Sequence, residues 1–291
     1  MACWGGWAKE SNPKARRATS DVHKAQMITR PHPLSGERVR VLILIKGLGL
    51  GGAETLLLNA APHFNRDRFD YTIGYFLPWK DALCEPLRAA GLNVQCFNIP
   101  RAGSPFALAR FCRRVKRENY QLLHMHLPIP GLYGRVARRL RRDLRVVYTE
   151  HNLWPRLNPV SRALNRSTFH WNDAAIAVSN EVRDSITARR PKTQTIENGI
   201  DCSSIQQDAG ARCEIRKELG IGLDEVAIVK VANLTEKKNH ELLLDAFAQL
   251  NQHFTKAKLV LVGQFADRHE TLAKKTEELG ITSRVVFTGP R

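Results

Sequence analysis

Residues 41–45 read Val-Leu-Ile-Leu-Ile and run straight into a glycine-rich turn that ends at Gly51-Gly52-Ala53-Glu54. A short, continuous apolar run bounded by glycine is the signature of a strand buried on both faces of a parallel sheet. Glycines at its tip let the backbone approach a ligand and take positive φ. The amphipathic segment from Ala53 reads as a helix, whose first amides favour an anion. Gly47, Gly49 and Gly52 formally satisfy the dinucleotide pattern G-x-G-x-x-G. That pattern also needs an acid closing the second strand, to hold a ribose. The second strand here, 69–76, ends in Leu77-Pro78-Trp79, which argues against a dinucleotide. No Gly-Lys-Ser/Thr follows the glycines, so a P-loop is excluded.

The same strand-then-helix unit recurs along the chain. Strands are expected at 39–45, 69–76, 93–98, 120–125, 145–149 and 174–178. Helices are expected at 53–62, 81–90, 105–118, 131–142, 158–169 and 180–188. A second series has strands at 226–231, 258–262 and 284–287, with helices at 240–251 and 268–279. Such alternation dictates α/β domains with parallel sheets covered by helices. We expect two Rossmann-like, doubly wound domains, 39–195 and 196–291, with the crossing at Asn198-Gly199 and ligands at the strand carboxyl ends facing the cleft. Residues 1–38 are polar, basic and broken by Pro13, Pro31 and Pro33, and read as a disordered leader. Met27 is an alternative start. Three strands leave the second sheet with an open edge, so the second domain is expected to be incomplete at Arg291.

Net charge is +17 over 291 residues. Between Arg101 and Arg145, twelve Lys/Arg face two acids, a local net of +10. Arg110, Arg113, Arg114 and Arg117 form one basic stripe, opposite Leu108, Phe111, Cys112 and Val115. Arg135, Arg138, Arg139 and Arg142 form another, opposite Tyr133, Val136, Ala137 and Leu140. Two all-positive helix faces imply an anionic partner, either a membrane surface or a phosphorylated acceptor. A nucleic acid ranks lower, because aromatics are not interleaved with the bases. The six cysteines are scattered without a C-x-x-C pair and read as reduced thiols of a cytoplasmic protein. No cluster with metal-ligand spacing is present, so no metal is implied. No apolar run reaches the ~20 residues that span a bilayer.

Several short motifs occur in a fixed order: Gly51-Gly-Ala-Glu54, His124-Met-His126, Thr149-Glu-His-Asn152, Ala177-Val-Ser-Asn180, Ile196-Glu-Asn-Gly-Ile-Asp201 and Val231-Ala-Asn-Leu-Thr-Glu-Lys-Lys-Asn-His240. Their order and spacing from about Arg38 to Arg291 resemble the retaining glycosyltransferases of the large GT4 family (glycosyl transferases group 1). That family has the GT-B fold of two facing Rossmann-like domains.

The resemblance implies the site. Segment 231–240 matches the family pattern Gly-Arg-Leu-x-x-x-Lys-Gly/Asn, whose Arg and Lys clamp the diphosphate of a nucleotide sugar. Cleaving the sugar–phosphate bond builds charge on the departing diphosphate, and fixed cations and helix amides stabilise it. Lys238 matches the Lys. Asn233 stands where the family has Arg and brings no charge. Gly51 and Gly52 would let the loop approach the donor. His126 is expected to contact the transferred sugar or the acceptor near the reacting carbon. His124 is read as a core partner on the opposite face of the strand, and His151 as a second acceptor contact. The family's Glu-x7-Glu donor pair would fall beyond Arg291.

The implied activity is transfer of a sugar, with retention, from a UDP- or GDP-sugar to a hydroxyl of a polysaccharide, lipid-linked or envelope-glycan acceptor. The nucleotide sugar is substrate, and no cofactor is implied. The implied location is the cytoplasm, peripheral at the inner face of the membrane. The alternative is a truncated, non-catalytic relative that binds acceptor or membrane only. A Rossmann-type oxidoreductase is undercut by the missing ribose acid.

Overall fold

The computed structural model describes residues 37–101, 103–200, 202, 208–265 and 268–291. The expected leader lies outside the described residues, apart from Glu37 and Arg38. The chain forms two compact units that divide between residues 201 and 202.

The first unit runs β1 (Val39–Ile45), α1 (Gly52–Ala60), β2 (Phe69–Tyr75), α2 (Cys84–Ala89), β3 (Asn93–Cys96), α3 (Pro105–Arg117), β4 (Leu122–His126), α4 (Pro128–Leu140), β5 (Arg145–Glu150), α5 (Pro159–Thr168), β6 (Ala174–Ala177), α6 (Asn180–Ser185) and β7 (Thr193–Thr195). Its seven strands are all parallel, in the order β3-β2-β1-β4-β5-β6-β7. β1 lies inside the sheet, beside the central β4, and is buried on both sides. Val41, Ile43 and Ile45 enter one core with Leu57 and Leu87 of α1 and α2. Leu42 and Leu44 enter the other, with Phe111 and Val115 of α3 and Tyr133 and Ala137 of α4. Strict alternation across a pleated strand explains why its sequence is an unbroken apolar run.

Helix α4 lies close against the sheet because two of its positions lack a side chain. A Cβ at Gly134 would overlap the Met125 sulfur, and one at Gly131 would stand 2.8 Å from the Tyr148 ring. It begins at Pro128, three residues earlier than expected, with Pro in the first turn where a missing N–H is harmless. Leu140, expected on its apolar stripe, is 73% exposed instead. The turn glycines also differ from expectation. None of Gly47, Gly49, Gly51 and Gly52 takes positive φ. Gly47 instead makes room for the neighbouring loop, since a Cβ there would meet the Lys80 side chain at 2.8 Å. Leu48 N–H then reaches the Lys80 carbonyl at 2.7 Å.

The second unit contains α7 (Ala209–Glu218), β8 (Val226–Val231), α8 (His240–His253), β9 (Ala257–Val262), α9 (His269–Glu278) and β10 (Val285–Gly289). Its parallel sheet has the order β10-β9-β8. Leu244, Phe247, Leu259, Leu261 and Leu272 form its core. Two elements went unpredicted. β7 is three polar residues on a sheet edge, and α7 buries too little apolar surface to leave a periodic stripe.

Candidate functional site

Strands β4 and β5 pair with His126 opposite Thr149, so their carboxyl ends bring two motifs side by side. His124 does not face away from His126. Residues two apart on a strand share a face, and the two rings lie 4.4 Å apart, centroid to centroid. His124 Nε2 is 2.8 Å from Thr149 Oγ1. His126 Nδ1 is 2.9 Å from Nε2 of His151, the first residue after β5. His126 is 4% exposed, and its Nε2 has no hydrogen-bond partner among the described residues. Burial pushes His124 and His151 down to about 4, and drives His126 well below the ordinary imidazole value. All three rings are therefore neutral at pH 7.

The backbone is strained immediately beyond this cluster. Leu127 has φ 74° and ψ 159°, a conformation that L-residues rarely adopt. Strain of this kind costs about 1–3 kcal/mol and persists where the surroundings over-determine it. Here the Leu127 N–H is bound to the Thr149 carbonyl, and Pro128 opens α4 directly after it.

A buried polar network lies beneath the histidines. Glu150 is fully buried and accepts hydrogen bonds from Tyr148 Oη–H (2.6 Å), Trp154 Nε1–H (3.1 Å), Asn165 Nδ2–H (3.3 Å) and the backbone N–H groups of His151 (3.0 Å) and Asn152 (3.1 Å). Burial raises its carboxyl above the usual carboxylate range, while these donors pull it back.

Arg135, read from sequence as part of a basic surface, is in fact fully buried. Its guanidinium donates to Asn172 (2.9 Å), Asn165 (2.6 Å) and Thr168 (3.1 Å) and stacks over Tyr148. The signal that could have located it is the company it keeps. Gly131, Gly134 and Ala137 are its small neighbours on α4, and they mark the face pressed against the sheet. Glu150 stood inside a quoted motif without a role, because nothing in the sequence shows five donors converging on it.

Three of the other seven expected surface arginines also hold structure. Arg110 donates to the Asn98 carbonyl (2.6 Å). Arg114 binds Gln95, the Cys96 carbonyl and Glu118. Arg138 pairs with Asp173 at 3.3 Å. Arg113, Arg117, Arg139 and Arg142 remain exposed, with Arg139 stacked on Trp171. No helix among the described residues is long and apolar enough to cross a membrane.

In the second unit, the loop after β8 carries Asn233 and Lys238. Asn233 Oδ1 accepts the Gln264 N–H (3.1 Å), which ties this loop to the one after β9, while its Nδ2 remains as a donor. Lys238 is exposed, two residues before α8. Asn239 between them is left-handed (φ 51°, ψ 51°), a conformation asparagine tolerates better than most residues. No side chain caps the amides that open α8. A pocket of about 190 Å³ lies at this end of α8, lined by Thr235, Asn239, His240 and Arg268 among others. In the first unit, Gly52 opens α1 with nothing within 4 Å of the position a Cβ would take, whereas Glu54 folds back over Gly51.

Comparison with known proteins adds the family. The profile described as Glycosyltransferase Family 4 matches residues 50–204, and that described as Glycosyl transferases group 1 matches residues 211–291. EpsF of Bacillus subtilis (strain 168) is 23% identical over 282 residues, covering 88% of this chain and 70% of EpsF. The GDP-mannose-dependent alpha-(1-6)-phosphatidylinositol monomannoside mannosyltransferase of Mycolicibacterium smegmatis is 26% identical over 223 residues, covering 74% of this chain and 58% of that relative. The crystal structure of Anabaena HepE in complex with UDP and glucose superposes with a TM-score of 0.76 at 23% identity, covering 87% of this chain and 70% of HepE. That likeness establishes a shared fold, the GT-B fold anticipated above.

Proposed function

We propose that this chain, which belongs to the Glycosyltransferase Family 4 and Glycosyl transferases group 1 families, transfers a sugar from a nucleotide diphosphate donor to an acceptor hydroxyl with retention at the anomeric carbon. The observation that carries the reading is His126. It is a neutral, buried imidazole at the carboxyl end of a central strand, with one nitrogen held by His151 and the other buried without a partner among the described residues. A neutral ring suits a sugar hydroxyl better than a phosphate.

The remaining roles follow from the chemistry of each group. The departing diphosphate gains charge, and Lys238 with the uncapped amides of α8 would stabilise it. Asn233 would contribute one neutral N–H where relatives in the family place an arginine, a weaker interaction than a bidentate fork. Gly51 and Gly52 would bring the α1 backbone near the donor. His151 has Nε2 committed to His126, so only its Nδ1 edge is left for an acceptor. Arg113, Arg117, Arg139 and Arg142 suit an anionic acceptor or an anionic membrane surface, consistent with a peripheral cytoplasmic enzyme acting on a lipid-linked or envelope glycan. The UDP of the HepE complex and the GDP-mannose in the mycobacterial relative's name set the two donor bases to test.

The test is calorimetric titration with UDP-glucose and GDP-mannose, followed by transfer assays with the anomer read by NMR. Saturable binding of one donor is expected. His126→Asn should lower kcat about 10²-fold while donor affinity changes little. Absence of saturable binding with either donor would overturn the reading and favour a non-catalytic, acceptor-binding protein. An inverted product would overturn retention alone.

A further inference from the structure

We infer that His151 is a positioning residue that sets the ring state of His126, so that His126 presents an Nε2–H donor to the bound sugar. The inference rests on the sugar-transfer reading for the identity of the ligand, but its geometry stands independently.

Two imidazole nitrogens 2.9 Å apart share one proton. Both rings are neutral, because burial among three imidazoles leaves no room for an added charge. If the proton sat on His126 Nδ1, both rings would carry their proton on Nδ1, the disfavoured tautomer of a histidine side chain. His126 Nε2 would then be a bare acceptor. If the proton sits on His151 Nε2, both rings are in the favoured tautomer. His126 Nδ1 then accepts, and His126 Nε2 carries the hydrogen. The second arrangement satisfies the same hydrogen bond without a tautomer penalty on either ring. The unpartnered nitrogen is therefore a donor, and it suits a ligand atom that accepts, such as a hydroxyl oxygen of the transferred sugar. This is the outer-shell logic by which the partner of one ring nitrogen decides the chemistry of the other.

What holds His151 in place is the buried carboxylate next to it. Glu150 accepts the backbone N–H groups of both His151 and Asn152, and is itself gripped by Tyr148, Trp154 and Asn165. The turn that carries His151 is thus anchored in the core of the first unit rather than left to a surface loop. Nothing comparable grips the His126 ring, whose single hydrogen bond among the described residues is the one to His151.

The test begins with the unmodified chain. Nitrogen-15 NMR of labelled histidine distinguishes a protonated ring nitrogen from a bare one. His126 should show a bare Nδ1 and a protonated Nε2. In His151→Phe, which keeps the bulk and removes the donor, His126 should become a mixture of tautomers and kcat should fall about tenfold, the scale of one neutral hydrogen bond. His151→Gln, whose amide N–H can donate to Nδ1, should restore both the spectrum and most of the rate. Finding His126 protonated on Nδ1 in the unmodified chain would overturn the proposal. So would an unchanged His126 spectrum in His151→Phe. The spectra need no substrate. If they come out as expected and no donor sugar is transferred, the functional reading falls and the ring coupling stands.

Discussion

Acidification should destabilise the first unit well above the pH at which exposed carboxylates protonate. The perturbation is a shift from pH 7.5 to pH 5. His124 and His151 fall from an ordinary 6.5 to about 4 in the folded chain, because burial disfavours the imidazolium. Between those two values the unfolded chain binds protons that the folded chain does not. Stability therefore rises with pH across this window, is fully present above about 6.5, and is lost as pH falls toward 4. At about 1.4 kcal/mol per pH unit, each ring costs roughly 2 kcal/mol between pH 6.5 and 5, or about 4 kcal/mol for the two, and His126, also held well below the ordinary value by burial, adds in the same direction. Glu150 works in the opposite sense. Its raised carboxyl takes up a proton earlier in the folded chain, which favours folding as pH drops and softens the slope at the acid end. A change of about 4 kcal/mol is a large part of the 5–15 kcal/mol that typically holds a domain together. Urea unfolding followed by tryptophan fluorescence is the assay, since Trp79, Trp154 and Trp171 lie in the first unit and the sequence has no tryptophan after residue 171. The urea midpoint should fall steadily from pH 6.5 to 5, and His124→Gln should remove about 2 kcal/mol of that loss. A midpoint that stays level or rises on acidification would refute the assignment of neutral, buried rings.

Two further substitutions test the frame that carries the site. Arg135→Met removes three hydrogen bonds and leaves the Glu150 carboxylate buried without its nearby cation, so a loss of about 3–5 kcal/mol is expected in urea unfolding. Adding Glu150→Gln should recover part of that loss, and strictly additive costs would show that the two groups are uncoupled. Gly134→Ala should lower the thermal midpoint despite a better helix propensity, because overpacking against Met125 costs about 1–3 kcal/mol. A midpoint equal to that of the unmodified chain would mean that α4 can lift off the sheet without penalty.

Much of the architecture was legible from residue order. An apolar run bounded by glycine and followed by an amphipathic helix leaves a strand few alternatives to burial in a parallel sheet, and β1 and β8 fall on the expected residues. The places of His126 and His151 at strand ends and of Lys238 just before α8 were also legible, because each lies at the edge of a periodic segment. β7 and α7 were not, because three polar residues on an edge and a helix with little buried surface leave no periodic trace.

Periodicity also misplaced Arg135. It sits at helical spacing with exposed arginines, and a helical wheel cannot distinguish the rim of a buried face from its opposite side. That distinction depends on how closely α4 approaches β4 and β5, which Gly131 and Gly134 permit. The sequence by itself determined which segments become strands and helices, because local hydrophobic period is a property of neighbouring residues. Only the tertiary structure decided that Glu150 would gather five donors, that Arg135 would be sealed in beneath it, and that His151 would reach His126. The Arg135 and His151 contacts join residues 25 to 37 positions apart, and Asn165 reaches Glu150 from 15 positions away to join four donors that are close in sequence; packing of strands and helices creates the distant contacts where spacing along the chain does not.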